Sequence, residues 1–262
     1  MWLRVSCSLS FDVEIPSPFI LMLRPRSGAE QWIECDEFKI TPGVPIVEFT
    51  DAYGNLCQRL VAPKGHFTIH TKSDVKTSQF VDVNFSAPFV DIQDLPSDVL
   101  SYLLPSRYCE SDRFNDLANT ITADKPLGYA QVYAIEQWLR YTIQYIPGSS
   151  AYPISAVEVN QKGSGVCRDL AHLGIALCRS LSIPARMVVG YLHHLKPMDM
   201  HAWFEAYVGG RWYVFDATQT GLKGGYVSVG YGLDAADVAI FNQFGPKVHT
   251  LTQEVIVKQI KI

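Results

Sequence analysis

The chain has 262 residues, of which 48% are apolar, 12% aromatic and 18% charged, and its formal net charge is −4. This composition is typical of a folded globular protein and excludes a disordered or fibrous one. The slightly acidic balance gives no basic surface for nucleic acid or for anionic lipid. No run of about 18 apolar residues predicts a membrane span, and residues 1–18 lack the pattern of a secretory signal, so we expect a cytoplasmic location.

The six cysteines are spread along the chain without a C-x-x-C pair. A chain of this length without an export signal needs no disulfide framework, so reduced thiols are expected. His66 and His70 share one strand face but lack a third ligand in the sequence. The sequence therefore predicts no metal site and no cofactor.

The first 85 residues predict a succession of short strands. The alternating stretch LRVSCSLSF is followed at short spacing by FILMLRP, QWIECDEFKI, PIVEFTD, LCQRLVA and HFTIHTKSDV. Turn-forming residues separate these stretches, and Gly54-Asn55 within DAYGN predicts a hairpin tip. We expect this region to form a β-sandwich or a barrel-like domain.

The rest of the chain mixes helices and strands. Residues 86–125 predict a connecting segment with short helices, and YAQVYAIEQWLRYTIQYI then has the 3.6-residue period of a packed helix. A capping box at Ser155–Glu158 and a buried helix over 166–181 follow. Three predicted strands come next: ARMVVGYL, HAWFEAYV and RWYVFDAT. The Gly-rich stretch GLKGGYVSVGYGLDAADVA predicts a loop, and TLTQEVIVKQIKI predicts a closing strand.

Cys167 differs from the other cysteines because it falls in the first turn of the predicted helix 166–181, after a glycine-flanked loop. The amino end of a helix carries about half a positive charge, which stabilises a thiolate. Cys178 lies further along the same helix among apolar neighbours, and we expect it to pack in the core. Cys167 is therefore the candidate nucleophile, and a structural thiol is the alternative.

The candidate partners of this thiol lie on a predicted hairpin whose two-residue turn is Gly209-Gly210. In that register Trp203 faces Asp216, and His201 lies two residues away on the same face. The imidazole and the carboxylate then form a diagonal pair with Cβ atoms about 7–8 Å apart, within reach of each other. A one-residue bulge would change the register and break this pairing.

Other candidates fit less well. His172 is five residues beyond Cys167, roughly 140° around the helix, so it cannot face the thiol from the same helix. Ser164 lacks the G-x-S-x-G context of a nucleophilic serine. His193 and His194 fall in a turn, where they are either solvated or line a substrate entrance.

Taken together, these segments resemble the core of the transglutaminase-like cysteine enzymes, within the papain-like superfamily. The matching elements are the Gly-Val-Cys helix start, the Ile-Pro-Ala-Arg run with its following Gly-Tyr, His-Ala-Trp, and Phe-Asp-Ala-Thr. Ala217 is a departure, because relatives often have proline there. MLRP and the DAYGN turn are similar to the β-rich N-terminal region of bacterial members.

The resemblance implies an α+β fold with three parts. These are a β-rich N-terminal domain at 1–85, a connecting segment at 86–125, and a catalytic core with its closing strand at 126–262, in which a catalytic helix packs on an antiparallel sheet. It also implies that Cys167 is the nucleophile, that His201 is the base and later the acid, and that Asp216 orients the imidazole.

The oxyanion donor is left open by the motifs. The backbone N–H of Cys167 is the first donor expected, and Gln161, six residues upstream as in papain-type enzymes, is a second. Tyr145 and Tyr152 are rivals to Gln161. One such donor is typically worth about 10²–10³ in rate.

The function implied is hydrolysis of an amide or peptide bond through a thioester, with a peptide or protein as substrate. One alternative is cross-linking of glutamine to lysine by the same acyl-enzyme, and a second is a non-catalytic binding module. Neither nucleic acid nor membrane is an expected partner, and the sequence makes no prediction of oligomeric state.

Overall fold

A computed structural model of the chain describes residues 1–221, 223–246 and 248–261. The strands are, in chain order, β1 (Trp2–Val13), β2 (Ser17–Leu21), β3 (Gln31–Thr41), β4 (Val47–Thr50), β5 (Leu56–Ala62), β6 (Gly65–Thr77), β7 (Gln144–Tyr145), β8 (Ser164–Gly165), β9 (Ala185–Leu192), β10 (His201–Val208), β11 (Arg211–Phe215), β12 (Tyr226–Gly232), β13 (Phe241–Gln243) and β14 (His249–Ile260). The α-helices are α1 (Asn115–Thr122), α2 (Tyr129–Thr142), α3 (Ala156–Lys162) and α4 (Cys167–Ser180). Short 3₁₀ turns at Ile92–Asp94, Leu100–Leu103 and Ser111–Arg113 lie in the connecting segment. The expected mixture of helices and strands is confirmed.

Two four-stranded antiparallel sheets build the N-terminal region, in the orders β14-β1-β6-β3 and β13-β2-β5-β4. Aromatic side chains join them. Phe11 of β1 contacts Phe19 of β2 with ring centroids 5.3 Å apart, and Phe19 contacts Phe67 of β6 at 6.2 Å. β1 alternates fully buried side chains with more exposed ones, as a strand with one face on a core requires. The predicted sheet-rich region is therefore present.

The last two strands complete the N-terminal sheets. β14 pairs antiparallel with β1 from Trp2 opposite Ile260 onward, and β13 pairs with β2. The closing strand, expected to belong with the core at 126–262, pairs instead with β1 of the N-terminal region. The alternation of one strand defines its buried face but carries no information about which sheet edge it joins, because edge pairing is a property of the assembled sheet.

A third antiparallel sheet, in the order β11-β10-β9-β12, carries α4 on one face. The helix approaches this sheet closely, since a Cβ at Gly174 would lie 2.6 Å from the ring of Phe204. The β10–β11 hairpin has the predicted register, with Val208 opposite Arg211 and Phe204 opposite Phe215. Its two-residue glycine turn has positive φ at both positions, as this kind of turn demands.

β12 lies within the Gly-rich stretch that the sequence analysis predicted to be a loop, and that prediction is wrong for residues 226–232. The strand pairs with β9 and bulges between Ser228 and Gly230. A Cβ at Gly190 of β9 would lie 2.0 Å from the carbonyl oxygen of Val227, so glycine permits the close approach of the two strands. Within β12, a Cβ at Gly230 would lie 2.1 Å from the Sδ of Met22, so a glycine that permits close packing was mistaken for a loop residue.

Side chains of the N-terminal region anchor β12. The amide nitrogen of Gln31 donates to the carbonyl of Ser228 at 2.7 Å, and that of Asn55 donates to the carbonyl of Tyr231 at 2.7 Å. Asn55 belongs to the predicted DAYGN hairpin tip, which joins β4 to β5.

None of the helices in the described ranges has the length and apolar run that crossing a bilayer requires.

Candidate active site

Cys167 is the first residue of α4 and is partly buried. The chain enters the helix from β8, which pairs in parallel with β7 so that Tyr145 lies opposite Gly165. Asp169 fixes this entry, because its Oδ2 accepts the backbone N–H of Val166 at 3.1 Å. The thiol therefore stands at the positive end of the helix dipole, as the sequence predicted.

His201 and Asp216 form a short hydrogen bond. Nε2 of His201 lies 2.6 Å from Oδ2 of Asp216, and both side chains are almost completely buried. The histidine begins β10, and the aspartate follows directly after β11. The diagonal contact calculated from the glycine turn is confirmed.

The other ring nitrogen of His201, Nδ1, is buried and makes no hydrogen bond of ordinary geometry to any described residue. Burial lowers the pKa of this imidazole, but Asp216 and the adjacent Cys167 thiol outweigh burial and raise it to about 10. Cys167 also lines one narrow cleft together with Trp203, Asp216 and Thr218. One nitrogen of the ring is thus bound to the carboxylate, and the other is left for the thiol.

The carboxylate of Asp216 accepts four hydrogen bonds. Oδ1 accepts the backbone N–H of Thr218 at 3.0 Å and its hydroxyl at 2.7 Å, while Oδ2 accepts from His201 and from the hydroxyl of Tyr226 at 3.0 Å. Burial raises the pKa of this carboxyl, but His201 and Thr218 outweigh that effect and lower it below its usual value. Asp216 is therefore held as a carboxylate facing an imidazolium.

Sequence reasoning missed Tyr226 and Thr218. Tyr226 starts β12, whose glycines hid the strand, although the alternating Tyr-Val-Ser-Val at its start was an available signal. Burial and the neighbouring Asp216 raise the pKa of the Tyr226 hydroxyl well above its ordinary value, so it remains a hydrogen-bond donor. Thr218 lies two residues after Asp216, a spacing at which Asp and Thr commonly form a local turn.

The three oxyanion candidates have different surroundings. Tyr145 is partly buried, and burial followed by the neighbouring Cys167 and Asp216 raises the pKa of its hydroxyl to about 12. Gln161 is exposed on α3, and the Tyr152 side chain is 72% exposed. Within the described ranges, neither of these two side chains hydrogen bonds to Cys167 or its partners. Tyr145 is the candidate that the fold brings next to the thiol.

The remaining histidines of the core have other surroundings. His172 is fully buried; its Nδ1 lies 2.9 Å from the carbonyl oxygen of Ile154, and its Nε2 accepts the backbone N–H of Ala235 at 3.2 Å. His193 and His194 contact each other in the turn after β9, with ring centroids 3.6 Å apart and ring planes tilted by 38°. His172 is a structural residue, in keeping with its predicted direction away from the thiol.

The N-terminal histidines offer no metal site in the part of the chain that the structure describes. Nδ1 of His70 lies 2.8 Å from the hydroxyl of Ser8, and His66 is exposed on the same strand. The described ranges contain no cluster of three His, Cys, Asp or Glu side chains with metal-binding geometry. All six cysteines are unpaired thiols.

Comparison with known proteins agrees with this architecture. Residues 115–217 match the family model of the transglutaminase-like superfamily, and residues 15–76 match that of the bacterial transglutaminase-like N-terminal region. The crystal structure of a Cytophaga hutchinsonii protein, described by its name as a candidate cysteine protease, shares 36% identity and a TM-score of 0.92 with this chain. It aligns over 100% of this chain and 91% of its own. An uncharacterized protein of Mycobacterium leprae is 27% identical over 91% of each chain.

Proposed function

Because this chain belongs to the transglutaminase-like superfamily and has the bacterial N-terminal region, we propose that it is a cysteine hydrolase that cleaves amide or peptide bonds in a peptide or protein. The observation that carries the proposal is the arrangement around His201. One ring nitrogen is bound to Asp216 at 2.6 Å, and the other is unpaired among the described residues, beside a thiol at a helix start. The name of the Cytophaga relative points to the same reaction class.

The proposed reaction begins with transfer of the Cys167 proton to Nδ1 of His201. The thiolate attacks the substrate carbonyl carbon, and the resulting oxyanion accepts hydrogen bonds from the backbone N–H of Cys167 and from the hydroxyl of Tyr145. His201 then protonates the leaving amine as the C–N bond breaks, which leaves a thioester. Water, deprotonated by His201, attacks the thioester and releases the acid and the thiol.

Asp216 supports both proton transfers in this scheme. Its carboxylate binds Nε2 and stabilises the imidazolium that forms when the thiol ionises. Since Asp216 and Cys167 raise the pKa of His201 to about 10, the imidazolium persists through neutral pH. Above about pH 10 the ring loses its proton, and protonation of the leaving amine should fail.

Alkylation of the thiol tests this ion pair directly. We expect iodoacetamide to modify Cys167 at pH 6 faster than Cys35, which is exposed on β3 and serves as an internal reference thiol, with both sites quantified by peptide mass spectrometry. His201→Ala should slow modification of Cys167 and leave that of Cys35 as it was. Equal rates at the two cysteines, or no effect of His201→Ala, would rule out the thiolate–imidazolium pair.

Cross-linking is the alternative suggested by the name of the superfamily. The two reactions differ in the acceptor of the acyl group, which is water in hydrolysis and an amine in cross-linking. The protein is incubated with a glutamine-rich protein, with and without a dansyl-labelled amine, and products are analysed by mass spectrometry. New chain termini support the hydrolase, whereas dansylated glutamine supports the transferase. If Cys167 is reactive but neither product forms with any substrate tried, the result supports the alternative of a non-catalytic binding module.

A further inference from the structure

The main chain of Asp216 has a second set of partners that the mechanism above does not use. Asp216 lies one residue beyond β11, and the ladder with β10 ends at Phe204 opposite Phe215. Its backbone N–H and C=O are thus outside the ladder, in a buried place where both need partners. Two side chains of α2 supply partners to both groups, and the backbone N–H of Gln219 also donates to the carbonyl at 3.2 Å.

Glu136 and Arg140 bind the two backbone groups of Asp216. Oε1 of Glu136 accepts the N–H of Asp216 at 3.0 Å, and Nη2 of Arg140 donates to the carbonyl of Asp216 at 3.0 Å. The same Nη2 donates to the carbonyl of Gln219 at 2.6 Å and to Oε1 of Glu136 at 3.1 Å. The residue that binds His201 is therefore held from both sides of its α-carbon.

The pair differs from an ordinary ion pair on a helix surface. Glu136 and Arg140 are one turn apart, a spacing at which exposed pairs contribute only about 0.2–0.5 kcal/mol. Here the two side chains are only 12% and 17% exposed, and both are directed at the backbone of a neighbouring loop. Nε of Arg140 is buried without a hydrogen-bond partner among the described residues. The guanidinium is thus oriented towards the carbonyls after β11, although this leaves one of its own donors unsatisfied.

We propose that Glu136 and Arg140 are positioning residues, which hold the backbone of Asp216 so that its carboxylate stays on Nε2 of His201. The expected loss of activity rests on the proposed function. The expected weakening of the hydrogen bond between His201 and Asp216 does not. A displacement of about 1 Å in such a site costs about 10²-fold in rate. Loss of the pair should therefore slow the reactions of the Cys167 thiol.

A cavity of about 240 Å³ lies beside the pair and is lined by Phe85, Tyr133, Gln219 and both members of the pair. This space gives a small planar ion access to the position of the Arg140 head group. Chemical rescue of a truncated arginine by free guanidinium is therefore feasible in this fold.

The test uses Arg140→Ala, with guanidinium or urea added far below denaturing concentrations. Two quantities are measured: the pKa of His201 by NMR titration of its ring protons, and the rate of Cys167 alkylation. We expect the variant to lower the pKa of His201 towards its ordinary value and to slow alkylation about 10- to 100-fold. Guanidinium should restore both, and urea, which is planar but uncharged, should restore neither fully.

The direction of the pKa change separates positioning from simple electrostatics. Removing a nearby positive charge would by itself raise the pKa of His201, whereas loosening Asp216 lowers it. Arg211→Ala is the matched control, since Arg211 pairs with Asp82 on the exposed side of the same hairpin strand. It should change neither quantity.

If Arg140→Ala does not fold, Arg140→Lys tests the same point, because it keeps the charge but replaces the planar guanidinium, whose Nη2 reaches both carbonyls, by an ammonium on a shorter side chain. An unchanged or raised pKa of His201 in a folded variant, or a lowered one that guanidinium does not restore, overturns the positioning role. If wild-type Cys167 alkylates like Cys35 while the pKa of His201 still depends on Arg140, the proposed function fails and the positioning role stands.

Discussion

Two buried histidines of the same core, His172 in the middle of α4 and His201 at the start of β10, have opposite proton chemistry. Burial lowers the pKa of His172 to about 4, whereas Asp216 and Cys167 raise the pKa of His201 to about 10 despite similar burial. His172 hydrogen bonds to backbone groups that suit a neutral ring, and His201 bonds to a carboxylate that suits a charged one. Depth in the core does not decide which histidine can act as an acid. What decides is whether a ring nitrogen is bound by a carboxylate, as in His201, or accepts a backbone N–H, as in His172.

The carboxylate is the element of this comparison whose removal should have the largest effect. Asp216→Asn keeps the size of the side chain but removes the charge that stabilises the imidazolium. We expect acyl transfer to fall by about 10³–10⁴-fold, and the pKa of His201 to fall from about 10 towards its ordinary value. Single-turnover hydrolysis of an activated ester and NMR titration measure the two effects. A loss of less than tenfold would mean that the ring is not held by this carboxylate during the reaction.

His172 should instead govern stability in acid. Its pKa is about 4 in the folded chain and 6.5 when unfolded, so the unfolded state binds more protons between these values. The stability that depends on its neutral ring is complete above pH 6.5 and is lost as the pH falls towards 4, by an amount on the order of 3 kcal/mol. Urea unfolding from pH 7 to pH 4 measures this loss.

The control for this acid effect is a pair of single substitutions. His172→Asn removes the titrating ring and should flatten the stability profile between pH 6.5 and pH 4. His66→Asn removes an exposed histidine of β6 and should leave the slope as in the wild type. Identical slopes in all three proteins would show that His172 is not the titrating group.

The smallest expected effect is at the hydroxyl that supports Asp216. Tyr226→Phe removes one of four hydrogen bonds to the carboxylate, worth about 1 kcal/mol, so acyl transfer should fall by no more than about tenfold. Tyr231→Phe, on the same strand, is the matched control and should retain the wild-type rate. If Tyr226→Phe loses as much activity as Asp216→Asn, the tyrosine has a direct part in the reaction.

Local patterns predicted much of this arrangement. The two glycines of the turn defined the register of the β10–β11 hairpin, and the register was enough to bring His201 and Asp216 together. The helical period placed Cys167 at the first turn of α4. These predictions succeed because each depends on residues within about 20 positions, where the backbone geometry of a strand or a helix fixes distances.

Contacts between distant segments could not be predicted in this way. Glu136 and Arg140 have the spacing of an ordinary helix ion pair, and nothing in the sequence of α2 points to a backbone 76 to 80 residues away. The same limit applies to β14, because the alternation of apolar and polar residues along it does not indicate that it pairs with β1. The sequence offers Gln161 as the second oxyanion donor, with Tyr145 and Tyr152 as its rivals, and only the pairing of β7 with β8 brings Tyr145 beside the helix start.

The sequence by itself therefore determined the candidate site residues, the helix that presents the thiol, and the hairpin that joins imidazole to carboxylate. All of these follow from local backbone periodicity and from one glycine turn. Only the tertiary structure decided that a Gly-rich segment forms a strand carrying Tyr226, that α2 holds the backbone of Asp216, and that the end of the chain returns to the first sheet. The physical reason is that buried polar groups take their partners from whichever segment packs against them, and packing is a property of the whole fold.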